Sequence, residues 1–288
     1  RSYTPIERAE AYIQAGELAD ALDALNEHLN AHPADDHARR MRIAVLSRSA
    51  HADSAHADAH LRAALDDLTR LSTFTVEDQI IRYQLHVRLG GDAEGHQMLL
   101  DIFTAGETSR RDPRLIELLL ESLYHRGESV QAIQLLFDLP KTWRWLQWNG
   151  DFHALQGDHR VALDYYCSAL DQLEETTQGA PSSGQPFIAN LRAQILLRRA
   201  EMYRALALFA DAAADLADAS TLIPKDMTIR FKRGVMLYLS GKHQDGLALC
   251  HSALDSATPE SLRAEMLHTL DTDERYAPIR AALFSDNA

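Results

Sequence analysis

Cysteine is nearly missing from this chain, with Cys167 and Cys250 the only two among 288 residues. They lie far apart, each inside an apolar stretch, and fit neither a metal-ligand spacing nor a disulfide framework, so free buried thiols are expected. Lysine is scarce as well, 4 residues against 25 arginines, and with 42 acidic residues the net charge is −13. A surface of that sign repels phosphate backbones and anionic headgroups, which argues against nucleic-acid and membrane-surface binding. Aromatics are only 7% of a chain that is 46% hydrophobic, so alanine and leucine must fill most of the core, as closely packed helices require. No apolar run nears the ~18 residues of a membrane span. No secretory signal is visible, and a cytoplasmic location is expected. Because Arg1 rather than Met comes first, periplasmic and secreted locations stay open. No glycine-rich phosphate loop, nucleophile elbow or His-Glu-x-x-His pair is present; neither an enzyme nor a cofactor is expected.

What is present is a spacing. A small residue is followed by another twelve positions on, and in two cases by a proline twelve beyond that: Ala9, Ala21, Pro33 and Ala200, Ala212, Pro224. Gly150 with Ala162 and Gly234 with Gly246 repeat the first interval, and Ala200 to Gly234 spans 34 residues. A fixed period of that size marks a stacked repeat protein. Residues 3–33 show the unit. Ile6, Ala9, Tyr12 and Ile13 form a helical stripe that Gly16 stops, and Leu18, Ala21, Leu25 and Leu29 form a second that ends before Pro33. Ala9 and Ala21 are small because the two helices cross there. Gly157 and Gly241 precede Ala162 and Gly246 by the same five residues that separate Gly16 from Ala21, and Gly127 precedes Ala132, and Gly91 His96, likewise.

These residues resemble the tetratricopeptide repeat family. Its pattern of small residue, aromatic, glycine turn, alanines and proline is met by Ala9-Tyr12-Gly16-Ala21-Pro33, by Gly150-Gly157-Ala162-Tyr166-Ala169, and by Ala200-Tyr203-Phe209-Ala212-Ala219-Pro224. The unit of Gly234, Gly241 and Ala253 follows closely. About half the chain carries the pattern; units near 77–110 and 113–140 carry it faintly. The resemblance implies an all-α, right-handed superhelical solenoid of antiparallel helix pairs, about seven repeats and a C-terminal cap, forming a single domain over 1–288. Seven units approach one superhelical turn. Three departures stand out. The second repeat, 36–76, is irregular, because His51–His60 replaces the glycine turn and calls for longer helices. Residues 176–186 (TTQGAPSSGQP) read as a flexible loop. Residues 260–284 read as capping helices, with Tyr276, Ile279 and Leu283 as their apolar stripe and Arg275 and Arg280 outside it.

The resemblance also implies that the first helix of each pair lines a concave groove where a partner binds. Projected onto that wall are Arg82, Arg88, Arg114, Tyr124, Arg144, Trp148, Arg198, Arg204, Phe231, Lys232 and Tyr238. Arginines and aromatics in an acidic protein suit a peptide bearing carboxylates. Glu10, Glu117, Glu121, Asp151 and Glu201 project to the same wall, so internal ion pairs are the competing reading. The arginine excess also has a plain reading as genomic base composition. The expected activity is therefore that of a protein-binding scaffold or adaptor. A regulatory module that senses a peptide or small anionic ligand is the alternative. The family's clamp for chaperone tails needs lysines and asparagines at set positions, and this chain does not supply them. In Trp143-Arg144-Trp145-Leu146-Gln147-Trp148, Trp145 and Trp148 share a helix face; they anchor a junction between units, or Trp148 grips a bound peptide. His56 and His60, with Asp53 and Asp58 near, lack further ligands for a metal. The sequence leaves the oligomeric state open.

Overall fold

The computed structural model describes residues 3–105 and 112–285; the end of the unit read at 77–110 lies outside them. Among the described residues all regular structure is helical. Seven consecutive pairs are followed by two further helices: α1 (Pro5–Ala15) and α2 (Leu18–Ala31), α3 (Asp36–Ala52) and α4 (Ala57–Thr69), α5 (Val76–Arg88) and α6 (Asp92–Ala105), α7 (Pro113–Arg126) and α8 (Ser129–Phe137), α9 (Trp143–Leu155) and α10 (His159–Thr177), α11 (Gln185–Ala205) and α12 (Phe209–Leu222), α13 (Met227–Leu239) and α14 (His243–Ser256), then α15 (Glu260–Thr269) and α16 (Ala277–Ser285). The chain forms two compact units, residues 1–122 and 123–288.

In the first unit, local chemistry sets the first pair. Thr4 and Glu7 form a reciprocal capping box, with the Thr4 backbone N–H donating to Glu7 Oε2 at 2.7 Å, and Pro5 opens α1 where no N–H is needed. Gly16 stops it at φ +79°, a conformation an L side chain resists. Ala9 and Ala21 are fully buried where α1 meets α2. In the second pair the irregularity is confined to one helix. At 17 residues α3 is long against 11 in α1, whereas α4, at 13, is of ordinary length. In the third pair the glycine register is one residue earlier than the sequence suggests. Gly90, at φ +76°, makes the turn, and the small residue five on is Gly95, whose added Cβ would lie 3.2 Å from the Tyr83 ring. A large residue on one helix is matched by glycine on the other, which hides the crossing from a search for small–small pairs. His96 instead sits buried, its Nδ1 2.9 Å from Ser122 Oγ.

In the second unit the crossings are tighter. A Cβ on Gly150 would fall 2.5 Å from the Tyr166 ring, and one on Gly234 would lie 2.8 Å from the Gly246 carbonyl. The helices also extend into the expected loop at 176–186. α10 runs to Thr177, a 3-10 turn covers Ser182–Gly184, and α11 starts at Gln185. Thr176 and Thr177 donate their hydroxyls to the Gln172 and Leu173 carbonyls at 2.7 and 2.6 Å, which sustains the last turn of α10. Pro186 suits the first turn of α11. At the C-terminal end Tyr276, Ile279 and Leu283 are buried in the core shared with α11–α14. Cys250 and Cys167 are both free; Cys250 is fully buried, which pushes its thiol up to about 12, and Cys167 is half-buried.

The turn between α11 and α12 keeps the left-handed conformation without a glycine. Gly16, Gly127, Gly157 and Gly241 hold φ of +79°, +72°, +83° and +94°, and Ala207 holds +59° at the equivalent place between α11 and α12. The left-handed region costs an L residue about 1–2 kcal/mol, partly offset by the smaller freedom that alanine loses on folding. Ala207→Gly is expected to stabilise the protein by about 0.5–1 kcal/mol, read as a higher denaturant midpoint. A lower midpoint would show that the turn is unstrained.

Candidate functional site

The first helices of successive pairs in the second unit meet through side chains. On α9, Asp151 is buried and accepts Tyr166 Oη at 2.6 Å and, from α11, Arg198 Nε at 2.9 Å. Burial pushes the Asp151 carboxyl up against the opposing pull of the Arg198 charge, and burial with the Asp151 charge drives the Tyr166 phenol far above its usual range. Trp148 lies three residues before Asp151 on the same face. Its ring stacks on Phe152 at 5.7 Å and meets Tyr124 edge-on at 6.1 Å. Phe152 is fully buried and Tyr124 is 39% exposed, so an aromatic floor rises from the core to the surface. Arg198 stays 41% exposed although its Nε is committed.

A second group lies further along. Arg204 on α11 donates to Glu201 at 2.7 Å and to Asp273 at 2.9 Å, and Lys232 on α13 is 3.6 Å from Glu201. Asp273 precedes the 3-10 turn of the cap. Arg275 chelates its carboxylate, holding it down to about 2, and donates to the Arg204 carbonyl at 3.1 Å. The Arg275 guanidinium also lies 5.6 Å from the centre of the Phe209 ring. These contacts enclose a pocket of about 150 Å³ whose polar walls include Glu201, Arg204, Lys232 and Tyr276 and whose floor is Val235 and Met236. The chain's own cap thus takes the guanidinium that the sequence offers to a partner. Tyr238 reaches the same region, with its hydroxyl 3.5 Å from the Pro278 carbonyl and its ring 4.5 Å from His243.

The sequence-assigned residues therefore divide. Tyr124, Trp148 and, through Asp151, Arg198 come together; Arg204 and Lys232 come together through Glu201. Arg144 packs its guanidinium 5.4 Å from the Trp143 ring. In the first unit, Arg114 is held by Glu77 at 2.8 Å and by Asp112, and Arg82 is exposed. Arg88 donates to the Ser47 carbonyl at 3.2 Å and lines a groove of about 420 Å³ between α3 and α5. Phe231 is a correction: it is fully buried, not on the surface. With Gly234 and Val235 it forms the buried i, i+3, i+4 stripe of α13, so an assignment to the neighbouring wall errs by one position around the helix. Trp145 and Trp148 also part company, since Trp145 is buried beside Leu146 and Asn149, away from the Trp148 cluster. His56 caps α4 rather than lying within it, bonded to Asp53 at 2.8 Å, and no group of three potential ligands for a metal occurs among the described residues. The roles of Tyr166 and Asp273 escaped the sequence reading. Tyr166 matches the repeat's aromatic position, but its partner Asp151 is on another helix; nothing local marks Asp273.

Successive short antiparallel helices, six of the seven pairs joined by a left-handed turn and most of their crossings built on a small residue, define a helical-hairpin repeat protein. No family model matches the sequence, and no curated protein matches it. Solved structures do. A tetratricopeptide repeat protein from Parabacteroides merdae aligns with a TM-score of 0.55 at 14% identity, covering 92% of this chain and 96% of its own. The C-terminal part of a TPR repeat-containing protein from Cytophaga hutchinsonii aligns at 0.59 and 12% identity, covering 93% and 96%. The Cut9–Hcn1 hetero-tetramer of the APC/C aligns at 0.51 and 12% identity over 92% of this chain and 55% of that one. The fold of this chain is that of tetratricopeptide repeat solenoids. No helix among the described residues is long and apolar enough to cross a membrane.

Proposed function

We propose that this protein is a non-catalytic scaffold that binds a segment of another protein on the first-helix face of its second unit. The observation that carries this reading is the half-buried Trp148, packed against Tyr124 and Phe152 on the helix face that carries Asp151 and its partner, the partly exposed Arg198. A rigid aromatic with buried backing gives large contact area at low entropic cost, and tryptophan and arginine dominate binding hot spots. Asp151 fixes one edge of the Arg198 guanidinium, which leaves its terminal nitrogens to donate to a carboxylate on the partner. The preferred ligand is an extended or helical segment with an apolar side chain for Trp148 and an acidic one for Arg198. Arg204 contributes only where that segment displaces Asp273. The polar groups here are paired with one another as a structural network, an arrangement suited to recognition. The net charge of −13 favours a protein partner over a nucleic acid.

Affinity capture from the native host with the intact chain, with Trp148→Ala and with Arg198→Gln tests the proposal. The partner's affinity for the parent chain should fall by roughly thirtyfold or more with Trp148→Ala, as expected for a hot spot of about 2 kcal/mol or more. With Arg198→Gln its retention should lose salt sensitivity. An identical captured set from all three would overturn the assignment of this face.

A further inference from the structure

On the side of the second unit away from these residues, α8 presents an unusual surface. It has only 9 residues, where the second helices of the other pairs have 13 to 19. Val130, Ile133 and Phe137 recur at i, i+3 and i+7, which is the spacing of a stripe that should be covered. Instead Val130 is 64% exposed and Phe137, at the helix end, 87% exposed. Where α8 stops short, a groove of about 630 Å³ opens toward α10; Ile133, Phe137, Val161 and Tyr165 line it, with Trp145 at its base. An apolar groove with an aromatic projecting from its rim offers a surface that a partner can cover.

The charges at this groove indicate what fills it. Lys141 lines one wall, on the connection from α8 to α9, and Asp164 on α10 lines the other. Both are exposed, and neither makes an ion pair among the described residues, so each is available to a charge on an incoming surface. A two-fold axis through the groove would bring Lys141 of each copy to Asp164 of the other, and Phe137 of each copy into the opposite groove. Plug and socket, cation and anion, all lie on one patch, which is the self-complementarity an isologous contact demands. We infer that the α8–α10 groove is a homodimer interface whose occupant is a second copy of this chain. The contact leaves the Trp148 face of each copy available, so it is independent of the proposed partner binding.

Sedimentation equilibrium on the full chain, in about 0.15 M salt where charges beyond ≈ 8 Å are screened, tests the inference. The expected mass is twice 32.2 kDa. Phe137→Ser should weaken association by about a hundredfold, as loss of a central aromatic anchor does. Lys141→Glu and Asp164→Lys should each weaken it by roughly tenfold, and the two together should restore it to within about threefold of the parent. All three substitutions are on exposed side chains, and circular dichroism verifies the fold. A chain that stays monomeric up to about 100 μM overturns the inference. So does a dimer indifferent to Phe137→Ser, or a charge swap that fails to restore what the single changes remove.

Discussion

Gly246→Ala is expected to destabilise the protein by about 2–3 kcal/mol, against the usual preference of helices for alanine. In an open helix the change would gain about 1 kcal/mol of propensity. Here the new Cβ would lie 2.6 Å from the Tyr238 backbone nitrogen and 2.7 Å from the Gly234 carbonyl oxygen. Both obstacles are main chain and cannot rotate aside, so α13 and α14 must separate. That separation disturbs a core built on Phe231, Met236, Cys250 and Ala253, and overpacking of this kind costs about 1–3 kcal/mol before the backbone shift is added. Gly234→Ala offers a contrast. Its nearest obstacle is Cys250 Sγ at 2.5 Å, with the Gly246 carbonyl at 2.8 Å. Cys250→Ala should therefore relieve part of the Gly234→Ala defect and none of the Gly246→Ala defect. Urea midpoints for the single and paired variants separate the two cases. A midpoint for Gly246→Ala at or above the parent's would mean the two helices have room between them.

The same crossings explain how far the sequence could be read. Gly16, Gly157 and Gly241 each combine a stop signal with a small residue five positions on, and both signals are local, so the hairpins at α1–α2, α9–α10 and α13–α14 were legible. The register slipped at Gly90-Gly91, where two glycines compete for one turn and only backbone geometry decides between them. Ala207 carried no signal, because alanine in a left-handed turn looks like alanine in a helix. On the candidate face, Trp148 and Arg198 could be placed by helical periodicity. Phe231 could not, since adjacent positions differ by only 100° around the axis and the boundary between groove and core falls between them. Least legible were the ion pairs. Arg204 with Asp273 and Arg40 with Asp78 join residues 69 and 38 positions apart, and no spacing announces such partners. The competing expectation of internal pairing applies to Arg114, Arg198 and Arg204, each of which has a carboxylate on its own chain.

The most costly of those pairs to break lies in the first unit. Asp67 on α4 is 1% exposed, and two arginines of α3 converge on it. Arg42 donates Nε at 2.7 Å, and Arg39, itself 5% exposed, donates at 3.3 Å while also bonding the Pro33 carbonyl. Arg42 has an outlet, being 20% exposed and bonded to Asn26 as well; Arg39 has little. Asp67→Ala strands the Arg39 charge in a site that water scarcely reaches, and removing one partner of a buried pair costs about 3–5 kcal/mol. The loss should be insensitive to salt, because screening acts weakly on buried charges. It should also be largely reversible by design. In Arg39→Met/Asp67→Leu the stranded charge is gone, and apolar replacements of buried pairs are often neutral, so most of the stability should return. Denaturant unfolding of the single and double variants measures both terms. If Asp67→Ala cost under about 1 kcal/mol, the value of an exposed pair, water would have to reach Arg39, and this network could not be what fixes α3 against α4.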